Sequence, residues 1–328
     1  MIDVPLIDLT AGDDDVATAI DDALHRVGFM AVTGHGIDPA LVAAMFDATD
    51  EFFALPVAEK MLAAPTDASN ARGYSYLGST AQANAHDEDT EPDLAETFNA
   101  GLDEVPDTPY YREAAAFFPP NLWPARPERL RTVWARYLAA MQALSGRILS
   151  SMATALDLPA DHFTPLIDRP MASITVNRYP ALDHEPAPNQ FRGGAHTDYG
   201  TITLLATDGV PGLQLRDDRD HHGEWVHVQP VPGAFHVNTG DMLSYWSGGH
   251  WKSTWHRVVT PPGPPPYPRR TSIAYFHSPN ADALIEPLPG RSPGSGADIE
   301  PVLAGQYLHD KIARYHAARA STPPPARA

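Results

Sequence analysis

The sequence predicts a mainly β protein with flanking helices, whose C-terminal half forms an antiparallel sandwich, barrel or jelly roll. Three observations favour this fold class. Short apolar segments separated by turn residues follow one another from residue 171 onward. A long amphipathic helix precedes them, and a hydrophobic content of 43% is sufficient for a large buried core. The length of 328 residues allows two domains, or one β domain with helical additions.

The N-terminal part is predicted to contain two helices and one strand. Apolar residues at helical spacing indicate a helix over 14–27, and the apolar run 29–32 indicates a strand. Pro39 is expected to begin a second amphipathic helix. From about 60 to 126 the periodicity is lost, and Gly, Pro, Asn and Asp become frequent. A long irregular segment of this kind within a compact domain is typical of a lid or a binding loop.

The C-terminal part is predicted to begin with a long helix from Pro127 to about Leu156. Strands are then expected at 171–179, 200–206, 212–216, 224–228, 235–238, 242–246, 255–259 and 271–277. A last helix is predicted over 300–317. We therefore divide the chain into an N-terminal region, 1–126, with the lid-like segment 60–126, a core region, 127–318, and a disordered tail, 319–328.

The composition argues against several classes of site and partner. Because the chain has no cysteine, it can form no disulfide, thiolate zinc site or iron–sulfur cluster, and any metal must be bound by His, Asp, Glu and water. The net charge of −18 argues against nucleic acid, since phosphate binding requires clustered Lys and Arg. The acidic residues are interpreted as a solvated surface, with a cationic substrate as the alternative. With neither a signal peptide nor an apolar run of roughly 18 residues, the protein is expected to be cytoplasmic and to have no membrane partner.

One pair of ligand-type residues is distinguished by its context. His196 and Asp198 are two residues apart, so both side chains point the same way on an extended backbone and can reach one ion. His-x-acid triplets are common by chance, and two others begin at His86 and His222, in polar irregular segments. His196 instead precedes an apolar strand. With His256, from another predicted strand, the pair would form the 2-His-1-carboxylate face of non-haem iron(II) oxygenases. The alternative for His256, considered alone, is a hydrogen-bonded core histidine.

An arginine and a serine with carboxylate-binding potential follow the last of these residues. Arg270 and Ser272 share one face of a predicted strand, where a guanidinium fork and a hydroxyl could together bind a carboxylate. A second Arg-x-Ser begins at Arg319, in the predicted tail. Only the first copy follows a ligand strand through a stiff connector, the proline-rich stretch 261–268.

The order of these motifs resembles the isopenicillin N synthase-like branch of the iron(II)/2-oxoglutarate dioxygenases. The motifs that carry the resemblance are His196-x-Asp198, His256 and Arg270-x-Ser272, together with the shorter segments 177–180 and 211–215. The likeness extends from about residue 3 to about residue 280. It implies a double-stranded β-helix, or jelly-roll, core with iron at one end.

The resemblance also implies a role for each matching residue. The expected Fe(II) ligands are His196, Asp198 and His256, and the expected 2-oxoglutarate-binding residues are Arg270, Ser272, Tyr179 and Asn177. Phe276 is expected to line the substrate cavity, and His277, on the other face of its strand, to be structural. From the segment 72–98, the candidate substrate residues are Tyr74, Tyr76 and Phe98, with local packing in a loop core as the alternative.

The implied reaction is oxidation of a small molecule by O2, with conversion of 2-oxoglutarate to succinate and CO2. Hydroxylation is the default outcome, and desaturation and cyclisation are variants of it. The substrate is expected to be an amino acid derivative or an intermediate of secondary metabolism, and the protein is expected to be a monomer.

Three alternatives to this reaction stay open. An isopenicillin N synthase-type oxidase would use no 2-oxoglutarate, and its Arg270 and Ser272 would bind a carboxylate of the substrate. An ethylene-forming relative would fragment 2-oxoglutarate itself. A non-catalytic small-molecule sensor would keep the fold without the reaction. The carboxylate at Asp198 argues against halogenation, because halogenating relatives lack that residue.

Overall fold

Two largely antiparallel sheets of unequal size form the centre of the molecule. The structure, a computed structural model, describes residues 3–67, 70–83, 90–217, 223–288 and 300–319. In chain order its strands are β1 (Leu6–Asp8), β2 (Phe29–Thr33), β3 (Gly73–Ser75), β4 (Glu96–Gly101), β5 (Ser173–Tyr179), β6 (Gly193–His196), β7 (Ile202–Thr207), β8 (Leu213–Asp217), β9 (Glu224–His227), β10 (Phe235–Thr239), β11 (His256–Val258), β12 (Arg270–His277), β13 (Leu284–Ile285) and β14 (Val302–Leu303). Its helices are α1 (Asp13–Arg26), α2 (Pro39–Phe53), α3 (Val57–Lys60), α4 (Pro109–Glu113), α5 (Arg129–Ala155), α6 (Thr164–Ile167), α7 (Asp241–Trp246) and α8 (Ala304–Arg319).

Consecutive strands of the C-terminal half alternate between the two sheets. The larger sheet has the order β1-β2-β10-β7-β12-β5-β4-β3, and the smaller sheet has the order β6-β11-β8-β9. From β5 to β8 each strand therefore lies in the sheet opposite its predecessor, and the same holds from β9 to β12. This topology is the double-stranded β-helix that the resemblance implied.

The central strands of the larger sheet separate a core face from a cavity face. Ile174 and Val176 of β5 belong to the hydrophobic core, whereas Thr175 and Asn177 line a cavity on the other side. Successive side chains of a strand point to opposite faces, so this alternation follows from the sequence of β5 alone. β12, which pairs with β5, likewise directs alternate residues to the core and to the cavity.

The core face is covered mainly by the long helix α5. Its buried residues recur at intervals of three and four, which gives one apolar stripe along the helix. They include Leu130, Trp134, Tyr137, Leu138, Met141, Leu144, Ile148 and Met152. α1 and α2 contribute to the same cluster through Ile20 and Phe52. Burying one large apolar side chain stabilises a fold by about 1.5–3 kcal/mol, so this stripe fixes the sheet's position against the helices.

Most of the elements predicted for the C-terminal half are observed. Seven of the eight expected strands correspond to β5 and β7–β12, within a few residues of their predicted bounds. The prediction of a strand at 242–246 was wrong, because these residues form helix α7. Continuous apolar runs occur in buried helices as well as in buried strands, so periodicity cannot distinguish them there.

The N-terminal region, 1–126, is built into the larger sheet. The expected helices and strand are observed as α1, α2 and β2, and β1 pairs with β2 at one edge. The lid-like segment 60–126 contains β3 and β4, which were not predicted and which extend the opposite edge of the sheet. His86, His222 and residues 320–328 of the predicted tail lie outside the described residues. In the part of the chain that is described, each helix is too short or too polar to span a bilayer.

Candidate active site

A cavity of about 350 Å³ lies between the cavity face of the larger sheet and the smaller sheet. Residues of β4, β5, β7, β10 and β12 line one side, and residues of β6, β8 and β11 line the other. His196, Asp198 and His256 lie together in its wall, and one ligand-type atom from each falls within 4.8 Å of the other two. The structure therefore brings together the three residues that the sequence singled out as metal ligands.

Two paired strands of the smaller sheet position the histidines. His196 ends β6 and His256 begins β11, and the two residues are direct partners in the antiparallel register, with ring centroids 4.3 Å apart. Nδ1 of His196 lies 2.8 Å from the carbonyl oxygen of Gly194, and Nδ1 of His256 lies 3.1 Å from that of Thr254. A proton on Nδ1 donated to a carbonyl keeps Nε2 as the metal-binding atom. Each Nε2 lies 3.8 Å from Asp198 Oδ1.

Asp198 is held by its other carboxylate oxygen. Its Oδ2 accepts hydrogen bonds from Thr203 Oγ1 and from Asn238 Nδ2, both at 2.6 Å. Burial raises the pKa of Asp198, but His256, His196 and these hydrogen bonds outweigh burial, so the pKa lies below its usual range. Asp198 is therefore an anion, with Oδ1 directed at the two histidines. Two imidazoles and one carboxylate, without a thiolate, fit a non-haem iron(II) ion.

Arg270 is buried in the same cavity, at the start of β12. It is the register partner of Tyr179, and its guanidinium lies 5.2 Å from the centre of the Tyr179 ring. Nε donates to the carbonyl oxygen of Val210 at 3.1 Å, while Nη1 has no hydrogen-bond partner within the described ranges. Ser272 pairs with Asn177 further along the same two strands, and both line the cavity. A buried guanidinium with an unused donor fits an anionic ligand such as the carboxylate of 2-oxoglutarate.

A second arginine at this end of the cavity was missed by the sequence analysis. Arg192 is fully buried, and its Nη2 donates to the carbonyl oxygens of Pro180 and Pro268 at 3.1 and 2.6 Å. Nε and Nη1 have no partner in the described part of the chain. Burial and then the charge of Arg270 lower the pKa of Arg192. Arg192 lies in a bend immediately before β6, so strand periodicity could not have identified it.

The structure places one of the four candidate substrate residues in the cavity wall and the other three against the core. Phe276 lies in the cavity wall as expected. Phe98 and Tyr74 face the core instead, where the Phe98 ring contacts those of Phe52 and Trp134 and the Tyr74 hydroxyl donates to Glu96 at 2.6 Å. The reason is the register of β4 on β5, which turns Phe98 together with Val176 toward α5. Tyr76 likewise packs against the core cluster rather than lining the cavity.

The segment 72–98 nevertheless reaches the cavity through other residues. Those lining the wall are Arg72, Ser75, Thr80, Gln82, Asp93, Ala95 and Thr97, followed by Asn99. Asp93 is buried and accepts backbone hydrogen bonds from Gln82 and Gly194, at 2.8 and 2.9 Å. Burial raises its pKa to about 7, although both hydrogen bonds act in the opposite direction. This segment is therefore attached directly to the strand that carries His196.

The C-terminal helix closes another part of the cavity wall. Leu308 and Ile312 of α8 line the cavity, a contact for which the sequence analysis found no signal. Tyr307 and Lys311 of the same helix donate to Asp241 Oδ2 at 3.0 and 3.1 Å. His277, by contrast, lies outside the cavity wall, buried with Nδ1 2.6 Å from Thr201 Oγ1, which fits its expected structural position.

Comparison with known proteins identifies the family. A family model described as "non-haem dioxygenase in morphine synthesis N-terminal" matches residues 4–126, and the model of the 2OG-Fe(II) oxygenase superfamily matches residues 171–279. A homoarginine-6-hydroxylase of Oryza sativa subsp. japonica is 32% identical over 94% of this chain and 96% of its own length. The validamycin A dioxygenase of Streptomyces hygroscopicus subsp. limoneus is 33% identical over 94% of this chain and 85% of its own length.

Solved structures agree with the sequence relatives. A full-length Neurospora crassa protein in complex with alpha-KG superimposes with a TM-score of 0.82 at 30% identity, covering 94% of this chain and 95% of that chain. The complex of the same protein with alpha-KG and thymine superimposes with a TM-score of 0.81. The double-stranded β-helix core and the family predicted from the motifs are thereby confirmed. The chain belongs to the 2OG-Fe(II) oxygenase superfamily and is an oxidoreductase that uses Fe(II), 2-oxoglutarate and O2.

Proposed function

We propose that the protein hydroxylates a small polar molecule, with Fe(II) held by His196, Asp198 and His256 and 2-oxoglutarate held by Arg270 and Ser272. The observation that carries this assignment is the buried, partly unsatisfied guanidinium of Arg270, which opens into the same cavity as the three ligand-type residues. When bound, the metal supplies the oxidising chemistry that couples decarboxylation of 2-oxoglutarate to oxidation of the substrate.

The chain's own residues prepare this site in three ways. The carbonyl groups of Gly194 and Thr254 keep the proton of each histidine on Nδ1, so that Nε2 is available as a ligand. The hydrogen bonds of Asp198 Oδ2 orient the carboxylate and leave Oδ1 for the metal. Apolar residues of the cavity wall, such as Leu213 and Phe29, limit access of water to the reacting atoms.

We assign the 2-oxoglutarate-binding pocket to the C-terminal end of β5 and the paired start of β12. Arg270 would bind the distal carboxylate through its unused N–H groups, and Ser272 would add a hydroxyl donor. Tyr179 and Asn177, which face the cavity from the paired strand, would complete the pocket. The second positive charge of Arg192 would reinforce the attraction for a dicarboxylate.

The substrate class is proposed from the cavity and from the relatives' names. A cavity of about 350 Å³ accommodates a small molecule. The names of two relatives contain homoarginine and validamycin A, and a related solved structure contains thymine. All three are small and polar, so a small polar substrate, of primary or secondary metabolism, is the proposal for this chain. The expected cytoplasmic location, the monomeric state and the absence of a nucleic acid partner stay predictions.

Substitution of Arg270 tests the assignment. Removing one partner of a buried charge pair costs about 2–5 kcal/mol, so Arg270→Ala should raise the Kd of 2-oxoglutarate by roughly thirty-fold to several thousand-fold. Arg270→Lys should recover only part of the affinity, because an ammonium group lacks the bidentate fork. The measurement is anaerobic titration of the Fe(II) enzyme with 2-oxoglutarate, followed by the visible absorption band of the chelate.

The neighbouring Arg269 provides the matched control. It precedes β12, is exposed and donates to Asp50 Oδ2 at 2.9 Å, so Arg269→Ala should leave the Kd of 2-oxoglutarate unchanged. The wild type should also release succinate in proportion to product. Product formation with iron, O2 and substrate but without 2-oxoglutarate would contradict the proposal and would favour the oxidase alternative.

A further inference from the structure

A third buried arginine lines the cavity, away from the proposed 2-oxoglutarate pocket. Arg72 immediately precedes β3 and is 7% exposed. A Cβ on Gly101 of β4 would lie 2.5 Å from Arg72 Nη2, so a side chain there would displace the guanidinium from this position. The glycine at the end of β4 thus provides the space in which the guanidinium lies.

The hydrogen bonds of Arg72 leave its charge uncompensated. Nη1 donates to Asn99 Oδ1 at 2.7 Å and Nη2 donates to the carbonyl oxygen of Phe117 at 3.3 Å, and neither acceptor is charged. Nε is buried without a hydrogen-bond partner among the residues described. Burial lowers the pKa of Arg72 to about 10, so the group remains a cation at neutral pH.

Three of the five N–H groups of Arg72 make no hydrogen bond to the described residues, one each on Nε, Nη1 and Nη2. Nε has its single N–H unused, and Nη2 has a second N–H beyond the one donated to Phe117. Nε and Nη2 lie side by side and present two parallel N–H groups, the geometry that binds a planar carboxylate in a bidentate manner. A buried, unpaired charge is costly, and an anionic ligand would offset that cost.

The strand register separates Arg72 from the 2-oxoglutarate end. Asn99, which holds Arg72, is the partner of Thr175, and its Nδ2 donates to Thr175 Oγ1 at 2.7 Å. Thr175 is in turn the partner of Ala274, four residues beyond Arg270 on β12. At about 3.3 Å per residue, four residues correspond to roughly 13 Å. A single carboxylate group therefore cannot contact both Arg270 and Arg72.

We propose that Arg72 binds a carboxylate group of the primary substrate, so that the substrate class is that of small carboxylic acids, including amino acids. This inference rests on the proposed function, since it assigns Arg270 to the cosubstrate. Asn99 and Thr175 position the guanidinium from β4 and β5, and Phe117 and Met171 provide apolar surface at the same end of the cavity. The substrate would lie between this end and the metal ligands, beside Phe276.

The test uses matched pairs of compounds that differ only in charge. The probes are phenylacetate, indole-3-acetate, N-acetyl-leucine and homoarginine, each with its carboxamide, and phenyl phosphate as a different anion. Wild-type Fe(II) enzyme with 2-oxoglutarate is assayed for succinate release and for oxidised product by mass spectrometry. At least one acid should exceed its amide by at least about thirty-fold in kcat/KM, because an unpaired charge partner costs about 2–5 kcal/mol.

Arg72→Gln should remove this preference selectively. The kcat/KM of the acid should fall by at least about thirty-fold, while that of its amide should change by only a few-fold. The reason is that the uncharged amide forms no ion pair with Arg72. Arg72→Lys should restore part of the preference for the acid. Arg112→Gln is the control, because Arg112 is an exposed residue of the same region, paired with Asp107.

Several outcomes would overturn the inference. If no acid has a higher kcat/KM than its amide, or if phenyl phosphate has the highest kcat/KM, Arg72 does not select a carboxylate. Equal losses for acid and amide in Arg72→Gln would show a purely structural role. Both results are compatible with the proposed function, whereas a wild type without 2-oxoglutarate-dependent O2 uptake would overturn that function and this inference with it.

Discussion

His196 and His256 use the same local arrangement to present a ligand atom. In each, Nδ1 lies within hydrogen-bond distance of the carbonyl oxygen two residues earlier in the chain. The strands are direct partners in the register, so the two Nε2 atoms converge on Asp198 Oδ1. Two paired strands therefore position both histidines of the proposed metal site by the same backbone geometry.

Loss of any one ligand should abolish tight iron binding. His196→Ala, Asp198→Ala and His256→Ala should each weaken iron binding by more than the roughly 10- to 100-fold that loss of a ligand's hydrogen-bond partner costs. Iron content by metal analysis and folding by circular dichroism are the measurements. The exposed His184, paired with Asp183, provides the control substitution, His184→Ala. A His256→Ala protein that retains iron would refute the assignment of this ligand.

The sequence predicted the site residues to different extents. The His196-x-Asp198 and Arg270-x-Ser272 pairs were singled out because their spacing is local and matches the period of a strand. His256 was assigned only in combination with them. Arg72 and Arg192 could not be identified in that way, since arginine is usually exposed and its burial depends on distant residues. For Arg72 that residue is Gly101, which creates the space for the guanidinium only after β4 has paired with β5.

Among the secondary-structure elements, the loop after Asp198 and the start of α7 approach each other very closely. A Cβ on Gly240 would lie 2.3 Å from the carbonyl oxygen of Gly200, and a Cβ on Gly200 would lie 2.2 Å from that of His277. Both obstacles are backbone atoms, which cannot move aside as the end of a side chain can. These close backbone contacts fix the position of the loop that follows Asp198.

Gly240→Ala should therefore destabilise the fold and disturb the metal site. Overpacking of this kind costs typically about 1–3 kcal/mol, and the shift of the loop should also weaken iron binding. Urea unfolding and iron titration are the measurements. Gly146→Ala in α5 is the control, because a Cβ there meets nothing within 4 Å. It should raise stability by roughly 0.5–1 kcal/mol, as expected for alanine in place of glycine inside a helix. A Gly240→Ala protein as stable as the wild type would contradict the close approach.

Elements with a clear local pattern were predicted well, and elements that depend on distant partners were not. β5 alternates apolar and polar residues, and β12 is rich in β-branched and aromatic residues, so both were anticipated. β4 contains Glu96, Asn99 and Gly101, residues that are unfavourable in strands, and it forms because its position against β5 supplies the pairing. A strand was predicted where α7 lies because that apolar run has no distinguishing period.

For the molecule as a whole, stability should depend on pH through the buried His277. Burial lowers its pKa from 6.5 to about 3. In the unfolded chain His277 takes up a proton near pH 6.5, whereas in the folded protein it does so only near pH 3. Its contribution to stability is therefore complete above pH 6.5 and is lost progressively as the pH falls below that value.

His277→Asn should reduce this dependence, because asparagine can still donate to Thr201 Oγ1 and has no group that titrates. The free energy of unfolding should fall more steeply in the wild type than in the variant between about pH 6.5 and about pH 5, by at most about 1.4 kcal/mol per pH unit. Urea unfolding in the presence of a chelator measures the difference without a contribution from bound metal. Parallel pH profiles for the two proteins would contradict the prediction.

Asp241 connects the C-terminal helix to both parts of the chain that carry the proposed metal ligands. Its backbone N–H donates to the carbonyl oxygen of Asp198 at 2.8 Å, and its Oδ1 accepts from Ser253, three residues before His256, at 2.7 Å. Its Oδ2 accepts from Tyr307 and Lys311 of α8. A purification tag fused after α8 could therefore disturb a helix that is linked through Asp241 to the proposed metal ligands. For expression and crystallisation, a tag placed ahead of the edge strand β1 is the better choice.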